Sequence, residues 1–119
     1  MTTVLIVEDE GLVREVVQIE LEDAGYDVII ADCANAAIAI LEARTDIHLV
    51  FTDINMPGSM DGLKLAACVR DRWPPVHIII TTGNGSAAGP REIPANALFI
   101  PKPYVGQTVV DAIRTFENM

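Results

Sequence analysis

Five short apolar runs punctuate the chain: VLIV at Val4–Val7, VII at Val28–Ile30, IHLVF at Ile47–Phe51, VHIII at Val76–Ile80 and ALFI at Ala97–Ile100. They are rich in β-branched residues, continuous rather than alternating, and bounded by turn residues, the pattern of strands buried on both faces. Between most of them the period becomes helical. Val13, Val16, Val17, Leu21 and Ala24 form one stripe over Leu12–Ala24, and Gly25 supplies the stop. Asn35–Arg44 predicts a second helix with Asn35 as its cap, and Leu63–Arg72 a third, capped by Asp61 and ended by Trp73-Pro74-Pro75. The last helix is predicted from about Tyr104 to Glu117, with Val105, Val109, Ala112, Ile113 and Phe116 on one face. Val110 falls off that stripe and reads as an exposed contact.

Strands alternating with helices imply a parallel sheet covered on both faces, and right-handed crossovers make it doubly wound. One segment breaks the rhythm. TGNGSAAGPREIPAN, from Thr82 to Asn96, stands where a fourth helix should be but carries three Gly and two Pro. An interior Gly costs about 1 kcal/mol relative to Ala and an interior Pro about 3 kcal/mol, so a turn or two of helix is expected there.

Composition narrows the function. A chain of 119 residues is expected to form one domain, 1–119, with no segment left at either end for a second. No apolar run approaches the ~18 residues of a membrane span, and Met1 is followed by TTVLIVEDE rather than a basic leader, so a cytoplasmic protein is expected. Cys33 and Cys68 are unclustered, as reduced structural thiols would be. A net charge of −9, with eight Lys and Arg against 17 acids, argues against binding nucleic acid.

In an open α/β sheet ligands bind at the carboxyl ends of the strands. The first strand ends in Glu8-Asp9, the third in Asp53 with Asn55 beyond, the fourth in Thr81-Thr82-Gly83 and the fifth in Lys102-Pro103. Any one of these is ordinary loop chemistry. As a set they bring three carboxylates, a hydroxyl and an ammonium to one rim. Clustered carboxylates call for a cation, and oxygen donors without His or Cys suggest Mg2+. A carboxylate can also be a nucleophile and form an aspartyl phosphate. Phosphoryl transfer is largely positioning and charge neutralisation, which a metal, a Lys and a hydroxyl supply. Asp53, central in the sheet, is the best nucleophile, with Glu8 and Asp9 as metal-side acids. His48 and His77 lie inside strand runs and read as satisfied strand residues. EDEGL after the first strand is neither a P-loop nor a dinucleotide fingerprint.

Glu8-Asp9, Asp53 within DINMPGSMDG, Thr82-Gly83 and Lys102-Pro103 within FIPKPY together resemble the receiver domain of bacterial two-component response regulators, across essentially the whole chain. The resemblance implies a flavodoxin-like five-stranded parallel sheet in the order 2-1-3-4-5, a (βα)5 fold with, here, a short or irregular fourth helix. It implies Asp53 as phosphoacceptor, Asp9 as direct Mg2+ ligand, Glu8 as a ligand through water, and Asn55 as a ligand through its backbone carbonyl. Thr82 is then the hydroxyl that moves toward the phosphoryl group, Lys102 its partner cation, and Phe99 the aromatic switch. Asn55 and Asn84 match positions that tune phosphoryl lifetime, and Lys102-Pro103 matches a bond commonly cis. The implied partners are a sensor histidine kinase or phosphotransfer protein and a downstream protein; the domain would catalyse its own phosphorylation and dephosphorylation only.

Two rival residue readings remain. Thr81 competes with Thr82, since neighbouring strand residues face opposite ways; the Thr-Gly match selects Thr82. Phe99 competes with a plain core role. Two rival functions also remain: a receiver-like interaction domain that is not phosphorylated, and a small Mg2+-dependent phosphohydrolase. The chain departs from the receiver pattern in GSMDG, which places Gly62 one residue farther from Asp53 than usual, with a bulge expected around Gly58-Ser59. Pro57-Gly58 fits the centre of a type II turn that would fold Met56 and Met60 back beside the site.

Overall fold

The computed structural model describes residues 2–55, 60–82 and 97–118. Strands β1 (Thr3–Val7), β2 (Asp27–Ala31), β3 (Leu49–Asp53), β4 (His77–Thr82) and β5 (Leu98–Pro101) form one parallel sheet in the order 2-1-3-4-5. The described helices are α1 (Gly11–Asp23), α2 (Ala34–Ala43), α3 (Gly62–Arg72) and α4 (Gly106–Glu117). Expectations for Met56, the Pro57-Gly58 turn, the Gly58-Ser59 bulge, Gly83, Asn84 and the short helix before β5 lie outside the described residues.

Strand alternation divides the core. Val4, Ile6, Leu49, Phe51, Ile79 and Ile100 face α1 and α4, where Val17, Leu21, Val109 and Ile113 meet them. Leu5, Val7, Val50, Ile78 and Ile80 face α2 and α3, against Ala37, Leu41, Leu65 and Val69. Burying each such aliphatic side chain contributes about 1.5–3 kcal/mol, so both faces hold the sheet. This double cover is why β1, β3 and β4 read as unbroken apolar runs; the edge strands β2 and β5, expected to be buried too, are partly open, with Ile30 exposed, because an edge strand has a neighbour on one side only.

β3 and β4 do end at Asp53 and Thr82 as the strand-end reading expects, beyond their apolar runs, because the ladder pairs Asp53 with Thr81 and backbone pairing does not stop where side chains turn polar. Several other features differ from the pattern. Helix α2 is capped by Cys33, not Asn35: Cys33 is extended and its Sγ accepts the Ala36 N–H at 3.5 Å, which draws Asn35 into the first turn. Helix α4 starts at Gly106 rather than Tyr104, with extended Val105 before it. Val110 is buried, not an exposed contact, because the buried stripe of α4 is wide enough to take both Val109 and Val110. On α1 only Val17 and Leu21 of the expected stripe are buried, and Val16 is 52% exposed. Gly25 does close α1, at φ 98, where a side chain would be strained. Both cysteines are free thiols, and no described helix is long and apolar enough to cross a membrane.

Candidate functional site

Alternation also places the chemistry. Glu8 continues the side-chain parity of Val4 and Ile6, Asp53 that of Leu49 and Phe51, and Lys102 that of Leu98 and Ile100. Three strands thus deliver two acids and a cation to the α1–α4 face at the carboxyl edge. Lys102 Nζ donates to Asp53 Oδ2 at 2.7 Å and to Glu8 Oε1 at 3.2 Å. The Asn55 N–H donates to Asp53 Oδ1 at 3.0 Å, and the Glu10 N–H to Glu8 Oε2 at 3.1 Å. Glu8 is anchored on its backbone too: its N–H reaches the Ala31 carbonyl and its carbonyl accepts from Arg14 Nη1 at 2.8 Å. Glu8 and Asp53 are buried and Asp9 is exposed, yet one oxygen from each lies within 4.8 Å of the others.

Burial pushes the Glu8 carboxyl above its ordinary value; the Glu10 N–H pulls it back, and the charge of Asp53 raises it again. For Lys102 burial works downward, but the hydrogen bond and charge of Asp53, with those of Glu8, outweigh it and push the ammonium up to about 12. One ammonium against three carboxylates leaves the cluster net negative. Compact, hard oxygen donors with excess negative charge fit a small divalent cation.

The opposite face carries neutral groups. Thr82 shares the parity of Ile80, whose register partner on β5 is Phe99, so Thr82 and Phe99 stand on the α2–α3 side. Phe99 is half-buried against that core. Asn55 spans the divide: its N–H holds Asp53, and its Nδ2 donates to Thr82 Oγ1 at 2.9 Å. The Thr82 carbonyl accepts the Lys102 N–H at 3.0 Å, fixing β5 to β4 just before the cis Lys102-Pro103 bond. Thr81 lies on the other side, beside Asp53. The two threonines therefore face different groups.

The histidines stand apart, at the amino edge of the sheet. His48 Nδ1 accepts the Thr3 N–H at 2.9 Å, and His77 stacks on Phe116 with centroids 4.3 Å apart.

Three features escaped the sequence reading. A Cβ on Gly62 would stand 2.0 Å from the Asp53 carbonyl oxygen, so α3 begins in close contact with the Asp53 backbone. The Gly62 N–H also donates to the Ile54 carbonyl at 3.0 Å, and both contacts hold although Gly62 is one residue farther along than in the receiver pattern. The available signal was a Gly straight after a working cap (Asp61 Oδ1 accepts the Lys64 N–H at 2.9 Å), where Ala would favour the helix by ~1 kcal/mol. Secondly, Thr81 is buried without a hydrogen-bond partner among the described residues. Thirdly, a groove of about 690 Å³ opens beside Lys102, lined by Leu12, Val13, Val16 and Tyr104 among others.

Comparison with known proteins agrees with this geometry. Residues 4–114 match the family model described as response regulator receiver domain. The response regulator protein FleR of Pseudomonas aeruginosa is 33% identical over 112 residues, covering 92% of this chain and 23% of FleR. The sensor kinase CckA of Brucella abortus is 36% identical over 105 residues, covering 86% of this chain and 11% of CckA. Among solved structures, the response regulator TrrA of Thermotoga maritima in complex with Mg(2+)-BeF superposes with a TM-score of 0.85 at 26% identity, covering 97% of this chain and 98% of that one. The chain spans about a quarter or less of the length of these two curated relatives.

Proposed function

The chain belongs to the response regulator receiver domain family, and on that premise we propose that Asp53 is its phosphoacceptor, taking a phosphoryl group from a phosphohistidine. The observation that carries this reading is the Lys102 ammonium 2.7 Å from a carboxylate that is only 5% exposed. The cation lies directly against the oxygen that would attack and offsets its charge, as a carboxylate nucleophile in a buried site requires. An Asp53 oxygen attacks phosphorus, the P–N bond breaks, and its electron pair leaves with the donor imidazole. Lys102 offsets the charge that builds on the phosphoryl oxygens. Thr82 accepts one hydrogen bond from Asn55 and keeps its own proton to donate to a phosphoryl oxygen. Glu8, Asp9, Asp53 and the Asn55 carbonyl would hold Mg2+, which supplies further charge neutralisation when bound.

A phosphoryl group adds about two negative charges. Drawn toward them, Thr82 leaves its place on the α2–α3 side and Phe99 turns inward behind it, changing the surface a partner meets. Asn55 and Asn84 set how long the phosphoryl group survives. The donor is a sensor histidine kinase or phosphotransfer protein whose apolar helix rests on the exposed Leu12 and Val16, which line the same groove as Lys102, the cation paired with Asp53. The two free thiols suit a reducing, cytoplasmic setting. The domain catalyses its own phosphorylation and dephosphorylation, and any output passes through protein contact.

Incubation with Mg2+ and acetyl phosphate, followed by intact-mass measurement, tests the assignment. One phosphoryl adduct is expected on the wild type and none on Asp53→Asn. An adduct that persists in Asp53→Asn, or a wild type that takes none, contradicts it.

A further inference from the structure

Thr81 is 1% exposed, and its Oγ1 meets no hydrogen-bond partner among the described residues. Leaving a buried hydroxyl unpaired is costly, and at this position Val would fill the same space without that cost. The register explains where the hydroxyl sits: Thr81 is the cross-strand partner of Asp53, on the same face of the sheet. Between them is a small cavity lined by Glu8, Asp53, Thr81 and Tyr104 together with apolar core residues. It has about 10 Å³ of room for a water's centre, the size of one molecule. Acceptors are available there. Asp53 accepts from Lys102 and Asn55, and Glu8 from Lys102 and Glu10, so each carboxylate keeps lone pairs to spare.

We propose that Thr81 is a positioning residue for Asp53: its hydroxyl holds one buried water in this cavity, and the water donates to the Asp53 carboxylate from beneath. The idea rests on Asp53 being the phosphoacceptor and adds a control on how fast the phosphoryl group is lost. In hydrolysis a solvent water forms its O–P bond as the P–O bond to Asp53 breaks. The electron pair of that bond returns to Asp53 as carboxylate charge, and the attacking water's proton leaves with phosphate or solvent. A donor beneath Asp53 stabilises that returning charge, so it speeds dephosphorylation and makes the aspartyl phosphate shorter-lived.

The test compares Thr81→Val, Thr81→Ser and wild type, phosphorylated with acetyl phosphate and Mg2+ and followed by intact mass after the donor is removed. The phosphoryl half-life is expected to lengthen about five-fold in Thr81→Val, the rate equivalent of one ordinary hydrogen bond. Thr81→Ser keeps the hydroxyl and should restore the wild-type half-life. Urea unfolding of the unphosphorylated proteins supplies an independent readout. A paired hydroxyl predicts a lower urea midpoint for Thr81→Val, whereas a dry, unpaired one predicts a higher midpoint. An unchanged half-life, or a raised midpoint in Thr81→Val, overturns the proposal. Should the wild type take no phosphoryl group, the reading of Asp53 fails and the lifetime claim with it; the midpoint then decides on the water alone.

Discussion

At the carboxyl edge of the sheet the two faces carry different chemistry one residue apart. The α1–α4 face holds charge: Glu8, Asp53 and Lys102, tied by contacts of 2.7 and 3.2 Å. The α2–α3 face holds a hydroxyl and an aromatic ring, Thr82 and Phe99, with no charge between them. Adjacent residues of one strand, Thr81 and Thr82, look into these two settings. The lesson is that a strand's two-residue period can set charged and neutral groups on opposite faces of the same edge, as it does for Asp53 and Thr82. Asn55 joins the two, holding Asp53 through its backbone and Thr82 through its side chain.

The largest expected effect comes from breaking the frame both faces share. Gly62→Ala pushes a methyl group against the Asp53 backbone and should cost about 3 kcal/mol in urea unfolding, since backbone cannot move aside as a side chain can. Next is Lys102→Met, which leaves Glu8 and Asp53 uncompensated. Fully buried pairs lose more, but the Lys102 side chain is 22% exposed, so about 1–2 kcal/mol is expected at neutral pH. Added Mg2+ should recover part of that loss, measured as a rise in melting temperature. Thr82→Val acts on the neutral face alone: it deprives the Asn55 amide of its acceptor and should cost about 1 kcal/mol.

The most discriminating effect is a pH dependence that belongs to one face. The folded Lys102 titrates at about 12 against an ordinary 10.5, so its contribution is complete below 10.5 and lost as pH rises through about 12. Glu8 is also raised, above an ordinary 4.5, so stability falls as pH climbs from 4.5 through its folded value. Denaturation across the alkaline window should show the Lys102 loss in wild type and in Thr82→Val, and not in Lys102→Met. The acid-side slope should flatten in Glu8→Gln. A Thr82→Val protein that lost either slope would show the faces to be less separate than their geometry implies.

Much of this was legible in the sequence. Double burial makes β1, β3 and β4 visible as apolar runs, and the apolar runs as a set locate Glu8, Asp53, Thr82 and Lys102 at strand ends. What stayed hidden depends on contact. Nothing in the spelling of Asp61-Gly62 says that Gly62 touches the Asp53 carbonyl. Val16 and Val110 lie near the edges of helical stripes, where a small rotation decides which side of the core they join; one proved exposed and the other buried. Cys33 capped α2 although its neighbour Asn35 is the stronger capping residue, because the backbone bends into the helix at Cys33. The Thr81–Thr82 pair was correctly read as facing two ways, but the partner of Thr81 needed the β3–β4 register.

The central claim is that charge arriving at Asp53 is read on the other face by Phe99. Fluorophenylalanine incorporated at Phe51, Phe99 and Phe116 reports this by fluorine NMR, with Phe99→Leu identifying the resonance. When intact mass shows the protein phosphorylated, the Phe99 resonance should move, and it should stay in place in Asp53→Asn treated the same way. A fully phosphorylated wild type whose Phe99 resonance does not shift would contradict the account.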